Sequence, residues 1–137
     1  MKDLSPSLDP VELAVLRLPA GWQPPAVPGD RFTAVVSSDL EVTVVCDAAL
    51  LSEDAWSQQA LDTDLGWQRI TFPGPLPWEQ VGFLADVASR LAGAQIPFTS
   101  ISGFTTDHVL VRAAQANLAM AVLSGEQPPP QRPGTNP

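Results

Sequence analysis

Between Trp67 and Ser124 the hydrophobic period of the chain switches repeatedly, and each switch marks a different element. The run "WQRITF" reads as a strand. "LPWEQVGFLADVASRLAG" then places Val81, Leu84, Ala85, Ala88, Leu91 and Ala92 along one helical stripe. "QIPFTSIS" returns to an extended pattern, "DHVLVR" makes a further strand, and "AAQANLAMAVLSG" is helical again, with Ala114, Leu118, Ala121 and Val122 able to face a sheet. A β-α-β-β-α series is most of a ferredoxin-like unit, and its fourth strand has to come from elsewhere in the chain. Local signals agree with this order. Pro77 suits a first helical turn, Glu79 suits its positive end, and Gly93 stands where a left-handed C-cap is wanted.

The preceding half is more irregular. Strands are expected over 12–18, 31–36 and 42–46, with Val42, Val44 and Cys46 on one face and Thr43, Val45 and Asp47 on the other. Between the first two lies "AGWQPPAVPGD", whose tandem prolines and Pro28-Gly29 pair oppose a regular helix. A short helix can open near Ser52 and run through Trp56; Asp62 and Asp64 are expected in solvent ahead of the strand at Trp67. The order makes the first half an imperfect version of the second. Boundaries follow: a leader over 1–11, a degenerate unit over 12–65, a better-formed unit over 66–124, and a disordered proline-rich tail over 125–137.

A chain of 137 residues holds one domain or two very small fused ones, and 45% hydrophobic residues can supply a shared core. Fifteen acids stand against seven basic residues, and Ser37–Asp64 carries Asp39, Glu41, Asp47, Glu53, Asp54, Asp62 and Asp64 without one Lys or Arg. Such a segment repels a phosphate backbone, which argues against nucleic acid as partner. The single cysteine excludes an internal disulfide. The start "MKDLSPSLDP" lacks the apolar run of a signal peptide and no stretch approaches a spanning helix, so a cytoplasmic protein with no membrane partner is expected.

Catalytic chemistry finds little support. His108 is the only histidine, and its neighbour Asp107 points to the opposite strand face, so the carboxylate is badly placed to orient the imidazole. Cys46 lies in a valine-rich strand without basic neighbours and reads as a buried, inert thiol. No Cys or His pair has ligand spacing, "DTD" lacks the alternating oxygen ligands of a calcium loop, and glycine-rich phosphate motifs are absent; neither metal nor cofactor is expected. Two polar stretches stand out. One is the strand-to-helix passage Gly74–Gly82, where helix N–H groups can receive a carboxylate. The other is "TSISGFTTD", Thr99–Asp107, with hydroxyls on both strand faces and an acid suited to an ammonium. Together they could hold a zwitterion; capping and turn formation explain the same residues without a ligand.

The runs Gly82-Phe83-Leu84, Leu91-Ala92-Gly93-Ala94-Gln95-Ile96 and Ile101-Ser102-Gly103-Phe104-Thr105-Thr106-Asp107-His108-Val109-Leu110-Val111 resemble the ACT-like domain of a family of small bacterial proteins, also found in the cytosolic arginine sensor of animals. "LPAGW" and "FTAVVSSDLEVTVVCD" resemble that family's first half. The resemblance implies an α+β, ferredoxin-like fold built as tandem ACT-like units, with antiparallel sheets and packed helices. It implies a non-enzymatic regulatory or sensory module binding an amino acid between ACT units, with a homodimer as one way of pairing them. It places ligand contacts at Val81 and Gly82, at Thr99, Ser100, Ile101 and Ser102, and at Phe104, Thr105, Thr106 and Asp107. His108, Gly103 and Ser37-Ser38 depart from the tyrosine, threonine and Arg-Thr usual at those places. The alternative is a structural or protein-interaction module that keeps the fold without a ligand.

Overall fold

In "LAVLRL" buried Ala14, Leu16 and Leu18 alternate with half-buried Val15 and exposed Arg17, and in "VTVVCD" buried Val42, Val44 and Cys46 share one face, the pattern of central strands laid on a core. In the computed structural model, which describes residues 1–73 and 82–126, the two runs pair antiparallel as β2 (Leu13–Leu18) and β4 (Val42–Asp47). They follow a short β1 (Ser7–Leu8) and flank β3 (Thr33–Ser37) in the chain. The remaining elements are α1 (Asp54–Ser57), β5 (Asp62–Thr71), α2 (Phe83–Gly93), β6 (Phe98–Ser102), β7 (Asp107–Arg112) and α3 (Ala116–Leu123).

Two compact units divide these elements, and β5 contributes to both. One comprises Met1–Leu8, Ile70–Val111 and the residues from Gln115 onward; the other comprises Asp9–Arg69 and Arg112–Ala114.

In the first unit, β1 pairs antiparallel with the end of β5, Ser7 opposite Thr71 and Leu8 opposite Ile70. On its other side β5 neighbours β7, which pairs with β6. This is the ferredoxin-like strand order, and the fourth strand does come from elsewhere: the N-terminal residues supply it. Ile70, Phe72, Val109 and Val111 from the strands meet Val87 and Leu91 of α2 and Ala116, Ala119, Val122 and Leu123 of α3 in one apolar core, with Leu4 and Leu8 packed against it. The buried side of α2 is therefore Phe83, Val87 and Leu91, while Leu84, Ala85 and Ala92 of the expected stripe are exposed. Ala114 of the expected α3 face is exposed too. Both helices close with paired bonds from beyond the last turn. Ile96 N–H reaches Leu91 O and Gln95 N–H reaches Ala92 O; Glu126 N–H reaches Ala121 O and Gly125 N–H reaches Val122 O. The left-handed residue of the first cap is Gln95 (φ 59°), not Gly93; that of the second is Gly125 (φ 95°).

In the second unit the strand order is β3-β4-β2-β5. Its core gathers Leu16, Leu18, Val42, Val44, Cys46, Leu50 and Trp56. Val42, Val44 and Cys46 share the face expected of them. β5 begins earlier than Trp67, at Asp62, and takes a one-residue bulge where its register against β2 slips and Gly66 adopts φ 81°, its N–H bonded to Glu12. Asp62 and Asp64 are consequently strand residues with cation partners, Arg17 and Arg112.

The stretch whose tandem prolines opposed a regular helix has none. No helix joins β2 to β3: the chain from Pro19 to Phe32 runs through turns, held by Trp22 and Val27 against the core and by a tilted contact of Trp22 with Trp56 at 6.0 Å. Pro24, Pro25 and Pro28 deny that stretch the N–H groups and backbone angles of a helix. The helix after β4, α1, has four residues.

Candidate functional site

Antiparallel pairing decides what gathers at one end of the first unit. β5 ends at Thr71, opposite the residue where β1 begins, so the preceding Lys2–Ser5 lies by the same strand end. The β6–β7 hairpin turns there as well, since Thr71 Oγ1 is 3.1 Å from His108 Nδ1. Phe83, in the first turn of α2, stacks edge-to-face on Phe72 with ring centroids 5.1 Å apart. Between them opens a cleft of about 210 Å³ lined by Lys2, Asp3, Leu4, Ser5, Phe72, Pro73 and Phe83. Gly82, which precedes Phe83, and the Thr99–Asp107 hairpin therefore reach the same end of one unit.

Gly82 is the N-cap of α2, in a left-handed conformation (φ 93°) that a side chain rarely adopts, and its carbonyl accepts the Asp86 N–H at 2.8 Å. Val81 and most of the Gly74–Gly82 passage, with Pro77, Trp78 and Glu79, lie outside the described residues, as does the tail beyond Glu126.

In the hairpin, Ser102 lies opposite Asp107 and donates its hydroxyl to Asp107 Oδ1 at 2.7 Å. Gly103 N–H donates to Thr106 O at 2.7 Å. A Cβ on Gly103 would come within 3.2 Å of both Thr106 O and Oγ1, so a side chain there would require the turn to give by a few tenths of an ångström. Strand alternation separates the candidates. Ser100, Ser102 and Asp107 share the face of Val109, a core residue; Thr99 and Ile101 share the face of His108. Thr99, Ser100, Phe104 and Thr105 are exposed, and Ile101, Thr106 and Asp107 are half-buried. His108 is held between hydroxyls, with Thr106 Oγ1 3.3 Å from Nε2, and Asp107 is on the opposite face; this is not a catalytic relay.

Other titratable groups have structural partners. Burial, then the charge of Asp47, pushes the Cys46 thiol up to about 11, so it stays protonated at neutral pH. Asp64 is held below its ordinary value by the Arg112 guanidinium, which grips both carboxylate oxygens at 2.8 Å and stacks over Trp67. The Val11 N–H and Arg69 lower Asp9. Among the described residues no group of three or more His, Cys, Asp or Glu could hold a metal ion, and no helix is long and apolar enough to cross a membrane.

The cleft itself was not legible in the sequence. Lys2, Asp3 and Ser5 carry no motif, and only the pairing of β1 brings them to Phe72.

Residues 62–125 match the family model described as ACT domain. The fold is similar to a protein of Agobacterium tumefaciens (28% identity over 82% of this chain and 81% of that one, TM-score 0.68). It is similar to a Vibrio cholerae protein of unknown function described as a possible transport protein (22% identity, 90% of this chain and 89% of that one, TM-score 0.68). It is also similar to the ligand-free regulatory subunit of aspartate kinase from Thermus thermophilus (12% identity, 92% and 100%, TM-score 0.64). No curated protein matches. The ACT match falls once, on residues 62–125, and this overturns the tandem of ACT-like units and the repeat it implied: a single α+β, ferredoxin-like unit of the chain is similar to an ACT domain.

Proposed function

We propose that this chain is a non-enzymatic regulatory module of the ACT type that acts in the cytoplasm and takes an amino acid as its ligand. The observation that carries the reading is the cleft between the N-terminal residues and the rings of Phe72 and Phe83, at the end of the unit where the Ser102–Asp107 hairpin also turns. Its charged and hydroxylic wall of Lys2, Asp3 and Ser5 faces the rings of Phe72 and Phe83. At about 210 Å³ it is smaller than the roughly 300–1,000 Å³ of drug-sized pockets, which suits a ligand of amino-acid size. The carboxylate would meet the N–H groups that follow Gly82, helped by the hydroxyls of Ser100 and Ser102 on the strand face of Asp107; Thr99 and Ile101, on the opposite face, take no part in such a site. The ammonium would pair with Asp107. Similarity to a regulatory subunit of aspartate kinase supports the regulatory part, and the resemblance to the arginine sensor puts arginine first among ligands to try.

A thermal-shift series with the twenty amino acids tests this. A ligand at about 100 times its Kd stabilises by about 2.7 kcal/mol, a shift easily read. Silence from all of them at millimolar concentration sinks the reading. Asp107→Ala should abolish any shift seen in the parent; a retained shift removes the ammonium role from Asp107. One observation favours the alternative interaction module: Phe104 at the hairpin tip is 82% exposed, as a ring reserved for a protein partner would be.

A further inference from the structure

We propose that Met1–Ser5 is a strap, hinged at Ser5, that lifts to open the cleft and is drawn down by the amino acid that fills it. The second half of this statement rests on the amino-acid reading; the first does not.

Lys2, Asp3, Leu4 and Ser5 make up one wall of the cleft, and all belong to this single segment. Without it Phe72, Pro73 and Phe83 would be left as an open surface. Beyond the hinge, Ser7 and Leu8 are fixed as β1 by pairing with β5. Met1–Pro6 forms neither helix nor strand, and its holds lie at the end of α3. Leu4 N–H donates to Leu123 O at 3.0 Å, and the Leu4 side chain packs against the edge of the core. A Cβ at Gly125 would lie 2.5 Å from Met1 O, so a glycine at φ 95° is what lets the strap come down.

Ser5 is the strained joint. It is a non-glycine residue at φ 54°, a left-handed conformation that side chains disfavour. Pro6 follows it, and a proline pushes its predecessor toward extended backbone. The docked strap therefore holds strain where it meets β1, offset in part by the Asp3 carboxylate, which accepts Ser5 N–H at 2.7 Å. Lifting releases that strain and forfeits one backbone bond and one partly buried apolar side chain. With so little on either side of the balance, a ligand that touches one state alone can shift it. An amino acid in the cleft meets Lys2, Asp3 and Ser5 only when the strap is down, so occupancy and docking reinforce each other.

Residue-by-residue amide exchange of the full chain tests the strap without a ligand. The Leu4 amide should be protected yet exchange by local opening, at a rate unchanged by low urea, while amides of the central strand β7 quicken steeply. Ser5→Val sets a β-branched residue at positive φ and should raise the Leu4 rate about tenfold; Ser5→Gly, which also lacks the hydroxyl, should not. The dye anilinonaphthalene sulfonate, which fluoresces on exposed apolar surface, should brighten more with Ser5→Val than with the parent, as Phe72 and Phe83 come within reach. L-arginine at about ten times its Kd should slow Leu4 exchange about tenfold, and so should any other amino acid that raises the melting temperature. An unprotected Leu4 amide, or one that exchanges only with global unfolding, overturns the strap. So do equal Leu4 rates, or equal dye fluorescence, for Ser5→Val and parent. An amino acid that raises the melting temperature yet leaves Leu4 exchange unchanged overturns the coupling. Silence from all twenty overturns the amino-acid reading and the coupling with it, while the exchange and dye results still decide the strap.

Discussion

Among the described residues Arg90 is the one charged side chain buried with the core, 4% exposed, and its removal should cost more than that of its ion-pair partner Asp86. Its guanidinium binds both oxygens of Asp86, at 2.9 and 3.3 Å, and reaches the α3 carbonyls of Val122 and Leu123 at 3.3 and 3.4 Å. Those carbonyls belong to the last turn of α3, where intrahelical donors have run out and the helix dipole favours a cation. Each keeps one other donor, Gly125 N–H for Val122 and Leu4 N–H for Leu123. The two long bonds are therefore worth about 0.5–1 kcal/mol each, at the low end for a charged donor. Asp86 is 46% exposed, so the i,i+4 ion pair adds only about 0.3–0.5 kcal/mol. Arg90→Met, which keeps the apolar stem, should then lower stability by about 1.5–2.5 kcal/mol, and Arg90→Ala by about 1–2 kcal/mol more through lost packing. At about 2.1 cal/mol/K per residue the Met variant should melt about 5–9 °C below the parent. Urea unfolding with an unchanged slope would give the same difference from midpoints. The opposing view is that a buried cation merely breaks even against an apolar replacement. An Arg90→Met variant within about 0.5 kcal/mol of the parent would show that view to be right and the α3 carbonyls to be satisfied without Arg90.

The helix caps make opposite predictions: Gln95→Gly should stabilise by about 0.5–1 kcal/mol, by relieving a left-handed non-glycine residue, whereas Gly125→Ala should destabilise by at least about 1 kcal/mol, since its Cβ would lie 2.5 Å from Met1 O at φ 95°. Equal melting temperatures for the two would contradict both. Cys46 has a folded pKa near 11, above its ordinary 9.0, so folding favours the neutral thiol; its contribution is complete below pH 9 and declines as pH rises toward 11. Cys46→Ala should flatten that alkaline loss, and in the parent a thiol reagent at pH 8 should label Cys46 only at the rate of unfolding. Asp9 titrates below its ordinary 3.8, so its contribution is present above that value and is lost as pH falls through the lower folded pKa. Thermal melts between pH 5 and pH 2 should show Asp9→Asn reducing the acid-dependent part of the loss.

How much of this was legible in the sequence differs by element. The order of strands and helices from Trp67 to Ser124 could be read because hydrophobic period and turn residues agree there; β6 and β7 fall within the runs "QIPFTSIS" and "DHVLVR". The start of β5 could not. Asp62 and Asp64 look like solvated turn residues until Arg17 and Arg112 arrive from other parts of the fold. The tandem was read from element order, with a proline-rich loop allowed in place of the first helix, and from the resemblance; the single ACT match over residues 62–125 overturns it. Gly82 and the Thr99–Asp107 hairpin could be named from the sequence as candidates, but the cleft could not. Its N-terminal wall depends on the two-residue β1, too short to have a period at all.

The error on α2 is more instructive, because it is one of degeneracy. Apolar residues occur on both sides of this helix: Phe83, Val87, Leu91 and Ala94 form one stripe, and Leu84, Ala85, Ala88 and Ala92 another. A count of apolar positions at helical spacing favours the second with Leu91 added, and of that stripe Leu91 alone is fully buried among the described residues; the sheet chose the first. Buried area decides between them. An alanine offers one methyl group, whereas phenylalanine, valine and leucine each gain about 1.5–3 kcal/mol on full burial, so a stripe of few large side chains outweighs one of many small ones. Weighting the helical wheel by side-chain size rather than by class selects Phe83, Val87 and Leu91 from the sequence alone. That face also carries Arg90 beside Leu91, where its long stem can lie along the apolar surface while the guanidinium reaches α3. The arginine that looks like the helix's solvent side is thereby the strongest polar tie within its core.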